Sequence, residues 1–453
     1  MNKSSAETAG RPLVFNVSPR SIVGGALIGV FVSAFVVYLS HYTLGAAILF
    51  WTIALSVLLA STDRISFDGK RISRSGIIFR TWRRLNRSRS SLKVHHIEHV
   101  ETHAVRMIKR GGKVFYNYRT VITGRGLDFV ITSRGREFMP MVRAILSRVS
   151  EDALDNRSIE LRDYLTEPKD ALLKARFSEI PPADVLENTV KAFKFERSKP
   201  AEIDSGEPDI EKADQLRRLA NELRLAGSLL QALEAFRRAL RIKPKDGWIL
   251  FEFARCMHSF ARTENDASLE RKAAALMRLS EKRAGNDEQL LARLGENYFQ
   301  IGEWRRAGIV FRRAMESFRS VRGMAEIALR EGKLAHVVHN FAAANRLART
   351  PALKRWMDRE IEYFSRLNES DEYMEMELSR LSLFDSLSSV RGSALRLAFL
   401  GFPVIAGGVV VGDAAIANIG WAVSGISLLV WAAVSVMRRM MADRIPFELL
   451  EED

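Results

Sequence analysis

The chain has 453 residues, enough for two or three globular modules. Its single cysteine, Cys256, excludes an internal disulfide framework and is typical of a reducing compartment. Lysine and arginine outnumber aspartate and glutamate by 69 to 54, a formal net charge of +15, which favours an anionic partner such as nucleic acid or a membrane surface.

Two apolar stretches follow a short N-terminal tail (residues 1–20). Ser21–Leu39 is uncharged and long enough to cross the hydrocarbon core as a helix, which takes roughly 20 residues. The polar link Ser40–Thr43 leads directly into a second apolar stretch, Leu44–Ala60. We therefore expect an antiparallel transmembrane hairpin over residues 21–61. The alternative, a cleaved signal peptide, does not account for the second stretch.

Residues 62–150 form a basic module that contains 20 lysines and arginines but only 6 aspartates and glutamates. The dipeptide Asp68-Gly69 predicts a hairpin turn between two short strands. Alternating and apolar runs then predict three strands, and helical spacing predicts one closing helix. The predicted strands are His95–Ile108, Val114–Thr123 and Leu127–Thr132, and the helix is Met139–Val149.

Consecutive strands after a membrane hairpin, closed by one helix, resemble the bacterial pleckstrin-homology-like domains that follow transmembrane helices. The resemblance covers Ile65–Val149 and rests on the order of the elements. It implies a small β-rich barrel capped by a helix, and a role in binding or assembly rather than catalysis.

A concentrated basic run lies inside this module, shortly after the second apolar stretch. There, each cation can contribute about 1 kcal/mol of attraction to anionic lipid. We predict lipid binding by this run, with its tryptophan as an interfacial anchor; a solvated connection and a nucleic-acid contact are the alternatives. The residues concerned are Arg80, Trp82, Arg83, Arg84, Arg87 and Arg89.

Four histidines, His95, His96, His99 and His103, form a second local cluster. On a helix, spacings of four would place His95, His99 and His103 on one face, which would suit a metal ion. In a strand they spread along one face at about 3.3 Å per residue, too far apart to chelate one ion together. We therefore favour a solvated histidine-rich edge and predict no metal and no cofactor.

Residues 151–208 are predicted to be a charged helical connector that ends in a polar linker, and residues 209–390 a long helical region. Within it, Leu216–Pro244 and Leu291–Ala314 resemble the tetratricopeptide repeat, whose period is about 34 residues. The resemblance implies an α-helical solenoid of paired helices; an arbitrary helical bundle is the alternative. The residues that match the packing positions of the family are Leu219, Ala220, Gly227, Ala232, Phe236, Ala239, Pro244, Leu294, Gly295, Tyr298, Gly302, Ala307, Phe311 and Ala314.

Tetratricopeptide repeats bind protein segments in a groove lined by the first helix of each repeat. The first-helix residues that the resemblance implies would face such a groove are Arg217, Asn221, Arg224, Arg255, Arg293, Glu296 and Phe299. Arg217, Asn221 and Arg293 match positions at which some members of the family hold the terminal carboxylate of a peptide. However, Glu252 replaces a neutral amide of that clamp, so ordinary solvated helix faces are the favoured reading.

The C-terminal part repeats the paired apolar design in residues 391–437, ahead of a basic tail (residues 438–453). Leu397–Gly412 and Ile419–Met437 are the apolar stretches, and a buried soluble hairpin is the alternative to two spans. Arginine or lysine flanks the outer ends of all four stretches, and both inner links contain none. The positive-inside rule therefore places both termini and the middle of the chain in the cytoplasm, at the cytoplasmic (inner) membrane.

No phosphate-binding loop, metalloprotease motif, nucleophile elbow or cysteine cluster is present in the sequence, so we do not expect an enzyme. Two hypotheses remain. One is a membrane-tethered scaffold that recruits a protein through the repeats, while the basic module contacts anionic lipid or a neighbouring membrane protein. The other is a subunit of an envelope-building or transport enzyme complex.

Overall fold

We analysed a computed structural model of the chain that describes residues 12–17, 20–77, 80, 90–110, 113–133, 137–186 and 207–442. The chain divides into two compact units. The apolar unit (residues 16–65, 74–90 and 365–453) contains the apolar helices near both ends. The polar unit (residues 1–15, 66–73 and 91–364) contains most of the strands and the remaining helices.

The first half of the described chain contains β1 (Leu13–Asn16), α1 (Arg20–Tyr38), α2 (Tyr42–Thr62), β2 (Arg64–Phe67), β3 (Arg71–Ser75), β4 (Ser91–Lys93), β5 (His99–Arg110), β6 (Lys113–Gly124), β7 (Leu127–Thr132), α3 (Phe138–Leu146), α4 (Asn156–Tyr164) and α5 (Pro168–Phe177). The second half contains α6 (Glu207–Leu225), α7 (Leu229–Ile242), α8 (Gly247–Glu264), α9 (Ala267–Arg283), α10 (Glu288–Gln300), α11 (Trp304–Arg312), α12 (Phe318–Arg330), α13 (Leu334–Leu347), α14 (Pro351–Glu369), α15 (Asp371–Val411) and α16 (Ala414–Ala442).

Three helices of the described chain are long and apolar enough to cross a membrane. They are Tyr42–Thr62, Asp371–Val411 and Ala414–Arg438, and a shorter apolar helix, Ile22–Tyr38, precedes them. The predicted third span is the C-terminal part of α15, which begins 26 residues earlier than the predicted start because the helix runs from Asp371 without a break. The chain therefore has the helices of a membrane protein.

Small residues bring the helices of the apolar unit close together. A Cβ atom added to Gly401 would lie 2.0 Å from Ser424 Oγ, and one added to Gly408 would lie 2.4 Å from the Ala417 nitrogen. Such close approach is common between helices in membranes, where there is little hydrophobic driving force and packing must supply the contacts. The ring of Trp421 also lies 5.1 Å from the ring of Phe31, which joins the two terminal helix pairs.

The strands form two sheets. Four strands pair in the order β1-β2-β3-β4, and β5, β6 and β7 form an antiparallel sheet. The predicted hairpin turn is present: Asp68 Oδ1 accepts hydrogen bonds from the nitrogens of Lys70 and Arg71, at 2.8 and 2.6 Å, and Gly69 has a φ of 89°. Helix α3 then buries its apolar face, including Phe138 and Met141. The predicted elements occur in the predicted order, but the structure adds two strands: β1, within the predicted N-terminal tail, and the short β4. The chain is mostly helical, with a small antiparallel sheet region.

From Glu207 onward, consecutive helices pair as hairpins: α6 with α7, α8 with α9, α10 with α11, and α12 with α13. Aspartates cap several of these helices; Asp246, Asp266 and Asp287 each accept hydrogen bonds from backbone nitrogens in the first turn. Glycine ends the first helix of a hairpin at Gly227 and Gly302, with φ of 83° and 86°. Residues other than glycine rarely adopt this backbone conformation, so the positions of the two glycines determine where these turns form.

All but two residues of the predicted packing set are buried, and Ala220, Phe236 and Phe311 are fully shielded from solvent. The two exceptions, Pro244 and Gly302, lie in exposed turns. A Cβ atom added to Gly295 would lie 2.3 Å from the Phe311 ring. The absence of a side chain at Gly295 therefore lets α10 approach the aromatic ring on α11.

Candidate functional site

Residues 151–160 run past the first helices of four consecutive hairpins, α6, α8, α10 and α12. Local sequence shapes this segment. Asp155 caps α4 by accepting hydrogen bonds from the nitrogens of Ser158, at 2.9 Å, and Arg157, at 3.4 Å. Leu154 bridges to Val100 of β5, and the Asp155 nitrogen donates to the Val100 carbonyl at 3.1 Å. The segment is thus fixed to the sheet on one side and to the helical hairpins on the other.

A buried carboxylate on α4, that of Glu160, is bound by two of the predicted groove arginines. Arg224 Nη2 of α6 lies 3.0 Å from Glu160 Oε2, and Arg255 Nη1 of α8 contacts Glu160 Oε1. Burial alone would raise the pKa of the Glu160 carboxyl, but the nearby Arg224, Arg255 and Arg293 lower this pKa to about 2. Glu160 is therefore ionised at neutral pH and belongs to a charge-assisted network.

The other two helices contact the same segment through hydrogen bonds to backbone carbonyls, α12 to carbonyls of the segment and α10 through a carbonyl of its own. Arg319 Nη2 of α12 donates to the Glu151 carbonyl at 2.6 Å and also to the Leu154 carbonyl. Asn156 Nδ2 donates to the Arg293 carbonyl of α10 at 3.5 Å. Residues 151–160 thus follow the hairpins in reverse order, from α12 at Glu151 to α6 and α8 at Glu160.

Two of the three residues predicted as a carboxylate clamp, Arg217 and Asn221, already bind a carboxylate, that of Glu252. Arg217 donates to it through Nε and Nη2, at 2.6 and 2.7 Å, and Asn221 Nδ2 donates to it at 2.8 Å. Arg293, the third residue of the predicted clamp, lies instead near the Trp248 ring, with its guanidinium carbon 5.7 Å from the ring centroid; that of Arg217 lies 5.5 Å from the same centroid. Glu252 therefore satisfies the donors of Arg217 and Asn221 that the clamp interpretation assigns to a peptide.

Two predicted groove residues lie further along the hairpins. Glu296 Oε2 pairs with Arg319 at 3.1 Å, and so helps to orient the guanidinium that binds residues 151–154. Phe299 lies beneath Arg330, whose guanidinium carbon is 5.1 Å from the ring centroid. All seven predicted groove residues thus have intramolecular contacts, and Arg224 and Arg255 bind α4 directly.

The sheet also contacts the first helical hairpin. Tyr118 Oη donates to the Leu225 carbonyl at 2.7 Å, and the Val114 nitrogen donates to the Gly227 carbonyl at 2.9 Å. A Cβ atom added to Gly227 would lie 1.7 Å from the Val114 carbonyl oxygen. Gly227 thus ends α6, and its lack of a side chain allows strand β6 to approach closely.

We expect Gly227→Ala to lower the free energy of unfolding by about 1–3 kcal/mol, because the turn has a φ of 83° and the methyl group would collide with Val114. Urea unfolding of the full chain in detergent, followed by circular dichroism, measures this change. Gly302→Ala is the matched control. Its φ is 86° but nothing lies within 4 Å of the added Cβ, so it should suffer only the backbone strain. Equal losses in both variants would contradict a role for the β6 contact.

The four histidines lie in different environments. His95 and His96 occupy a short helical turn (Val94–His96), with ring centroids 4.1 Å apart. His99 is buried and stacks on Trp356 of α14 at 5.3 Å, and His103 lies 3.4 Å from Glu101. Among the residues that the structure describes, no group of three or more His, Cys, Asp or Glu side chains is placed to hold a metal ion.

Burial, with Arg322 and Arg319 nearby, lowers the pKa of His99 well below its usual range. The unfolded chain protonates this histidine as pH falls through about 6.5, whereas the folded chain does not. The contribution of His99 to the stability of the folded chain is therefore present above about pH 6.5 and is lost as pH falls below that value. Burial acts oppositely on Asp155, because it raises the pKa of that carboxyl to about 6. The Asp155 contribution is present at low pH, is lost as pH rises through about 6, and partly offsets that of His99.

We expect His99→Gln to flatten the decline in stability between pH 7 and pH 5, by up to about 2 kcal/mol across that interval. Urea unfolding at each pH measures the slope, which is informative even if the substitution lowers stability at every pH. Asp155→Asn should steepen the same decline. A wild-type slope retained in His99→Gln would show that His99 does not control it.

The predicted lipid-binding run lies almost entirely outside the described residues. Arg80 is described; it is exposed, and its backbone nitrogen donates to the Gly76 carbonyl at 2.9 Å. The prediction for Trp82, Arg83, Arg84, Arg87 and Arg89 stays a prediction.

Sequence reasoning missed Glu160, Arg319 and the course of residues 151–160. One local signal was available, since Asp155 stands three residues before Ser158 in the pattern of a helix N-cap. Glu160 stands between Ile159 and Leu161 on a short charged helix, and no periodicity marks it as buried. Its burial depends on helices that lie 64 and 95 residues further along the chain, at Arg224 and Arg255.

No family model matches the chain, and the search of curated proteins finds no match. Function is therefore inferred from the described residues and not from a relative.

Proposed function

We propose that this protein is a membrane-tethered adaptor, without catalytic activity of its own, whose helical hairpins form a tetratricopeptide-like groove that binds a protein segment. Four spans anchor it, and the positive-inside rule places both termini and the polar unit in the cytoplasm, at the inner membrane. The basic pleckstrin-homology-like module contacts anionic lipid or a neighbouring membrane protein.

One observation carries the proposal. Four consecutive hairpins each use their first helix to contact a single ten-residue segment, through Arg224, Arg255, the Arg293 carbonyl and Arg319. Binding one segment by successive repeats is how helical-repeat proteins recognise peptides. In this chain the segment belongs to the same molecule, so the surface is complementary to a peptide whose chemistry is known.

The membrane arrangement has a direct test. Cys256 is fully buried, so a cysteine introduced elsewhere reacts against a low background. A membrane-impermeant maleimide should label His41→Cys and Asp413→Cys, in the two inner links, only from the outer face of intact cells. Lys245→Cys, in an exposed turn of the polar unit, should react only after the membrane is opened. Labelling of all three from one side would contradict the proposed topology.

The adaptor role is tested by crosslinking in cells and purification in detergent. We expect a specific partner to be recovered with the full chain and lost when Arg224 and Arg255 are both replaced by methionine. If the partner is an enzyme whose activity depends on this chain, the alternative hypothesis of an enzyme-complex subunit is favoured. Failure to recover any protein above a control membrane protein would contradict the adaptor function.

A further inference from the structure

We propose that the groove recognises an acidic helix, and that residues 151–164 are its resident ligand, which an acidic helical segment of a partner protein replaces by exchange. This inference rests on the proposed function and names the partner class of the same surface. It is carried by the contacts of Glu160, by the charges of the helices around it, and by the backbone contacts of residues 151–154.

The contacts to α4 recognise chemistry that many acidic helices share. Two arginines from different helices bind one carboxylate, and a third arginine, Arg319, binds two backbone carbonyls just ahead of the helix. Arginine suits this role because its planar donors match carboxylate and carbonyl oxygens. Any helix with a glutamate at the position of Glu160, preceded by a turn with free carbonyls, can present the same groups.

The charges of the surface favour an acidic occupant. The charged groove residues described above comprise five arginines and two carboxylates, a net charge of +3. In return, residues 151–160 carry four carboxylates and one arginine, a net charge of −3. The resident segment is therefore itself acidic and complements the basic groove, so a segment that replaces it must be acidic as well. The residues counted are Arg217, Arg224, Arg255, Arg293, Arg319, Glu252 and Glu296.

The apolar neighbours of Glu160 on α4 are buried as well. Ile159 and Leu161, on either side of Glu160, are both shielded from solvent. Recognition of an amphipathic helix combines buried apolar side chains with a few charged contacts. The resident segment is joined to the groove within one chain and therefore occupies the groove first. A partner can bind only the molecules in which the groove is open, so its apparent affinity falls in proportion to the open fraction.

The test uses the full chain in detergent and a fluorescein-labelled peptide with the sequence of residues 149–166. Glu160→Gln in the protein weakens the resident helix but leaves every groove arginine intact. We expect this variant to bind the peptide at least about tenfold more tightly than wild type, since the open fraction rises. Glu151→Gln is the matched control, because its side chain is half-exposed and pairs only with Arg162 at the surface, and it should bind as wild type does.

Two further measurements test whether the peptide binds in the groove. A peptide that carries Glu160→Arg should lose binding to the Glu160→Gln protein. Adding Arg255→Met to that protein should weaken binding of the unchanged peptide by at least about tenfold, if the carboxylate contact persists in the exchanged complex.

Equal binding by wild type and Glu160→Gln, with unchanged circular dichroism, would overturn the exchange and make residues 151–164 a permanent part of the core. If Glu160→Gln fails to fold, Asn156→Ala, which removes only the contact to the Arg293 carbonyl, replaces it with the same expected direction. A partner that is still recovered from cells despite a negative peptide result would contradict the exchange alone and leave the adaptor function standing.

Discussion

Replacing Glu160 with alanine is expected to lower the free energy of unfolding of the polar unit by about 3–5 kcal/mol. The carboxylate is 2% exposed, and its removal leaves Arg224 and Arg255 buried without their shared counter-charge. Three guanidinium groups, including that of Arg293, would then repel one another in a site with little access to water. Since a domain of this kind is stable by roughly 5–15 kcal/mol, the variant should fold but be clearly weakened.

Urea unfolding of the full chain in detergent, followed by circular dichroism, measures the change. Glu151→Ala serves as the control, since it removes a carboxylate from the same segment but from a surface pair, and should change stability by less than about 1 kcal/mol. The triple replacement of Glu160, Arg224 and Arg255 by methionine should recover much of the loss, because buried charge networks can often be exchanged for apolar side chains. A loss below about 1 kcal/mol in Glu160→Ala would show that water reaches the arginines.

The contribution of Glu160 to stability depends on pH differently from the contribution of His99. The pKa of Glu160 is lowered to about 2, so its contribution is present above the ordinary carboxylate pKa and is lost only as pH falls towards 2. Between pH 7 and pH 5 the contribution of Glu160 is constant. Any decline in that interval therefore comes from other groups, chiefly histidines whose pKa is lowered by burial. These are His99, which also stacks on Trp356, together with His96 and His258.

Local sequence was enough to predict most of the elements, but not the short strands β1 and β4. The Asp68-Gly69 turn is present because its conformation depends on four adjacent residues, and Gly69 has the positive φ that such a turn requires. The pairing of β5 with β6 follows from two long runs separated by Gly111-Gly112. In the helical region, small and aromatic residues at fixed spacing predicted which faces are buried, as at Ala220 and Phe236.

The partner of the groove residues could not be predicted from the sequence. Spacing places Arg224 and Arg255 on the same side of their helices, but it carries no information about what lies opposite them. Glu160 comes from the predicted charged helical connector, and its burial requires α6, α8 and the sheet to be in place together. Arg319 was not predicted, because its ligands are backbone carbonyls, which no side-chain pattern reveals.

Phe311→Ala is expected to lower the free energy of unfolding by about 3–5 kcal/mol. The ring is fully buried on α11 and fills the space between two other helices, at positions where both present glycine. A Cβ atom added to Gly295 of α10 would lie 2.3 Å from the ring, and one added to Gly323 of α12 would lie 2.4 Å from it. Removing the ring leaves a cavity that these backbones cannot close without moving both helices.

The two glycines make the prediction specific to the packing of three helices. Gly295→Ala alone should be destabilising, because the added methyl collides with the ring, but in a Phe311→Ala background the same methyl fills part of the cavity. The double variant should therefore be more stable than the sum of the two single losses predicts, by about 1 kcal/mol or more. Phe177→Ala, at a phenylalanine that is 84% exposed, should change stability by less than about 0.5 kcal/mol. Additive losses at Gly295 and Phe311 would mean that α10 does not pack against α11 through this ring. The close packing that holds Arg293 of α10 beside the resident helix would then also be wrong.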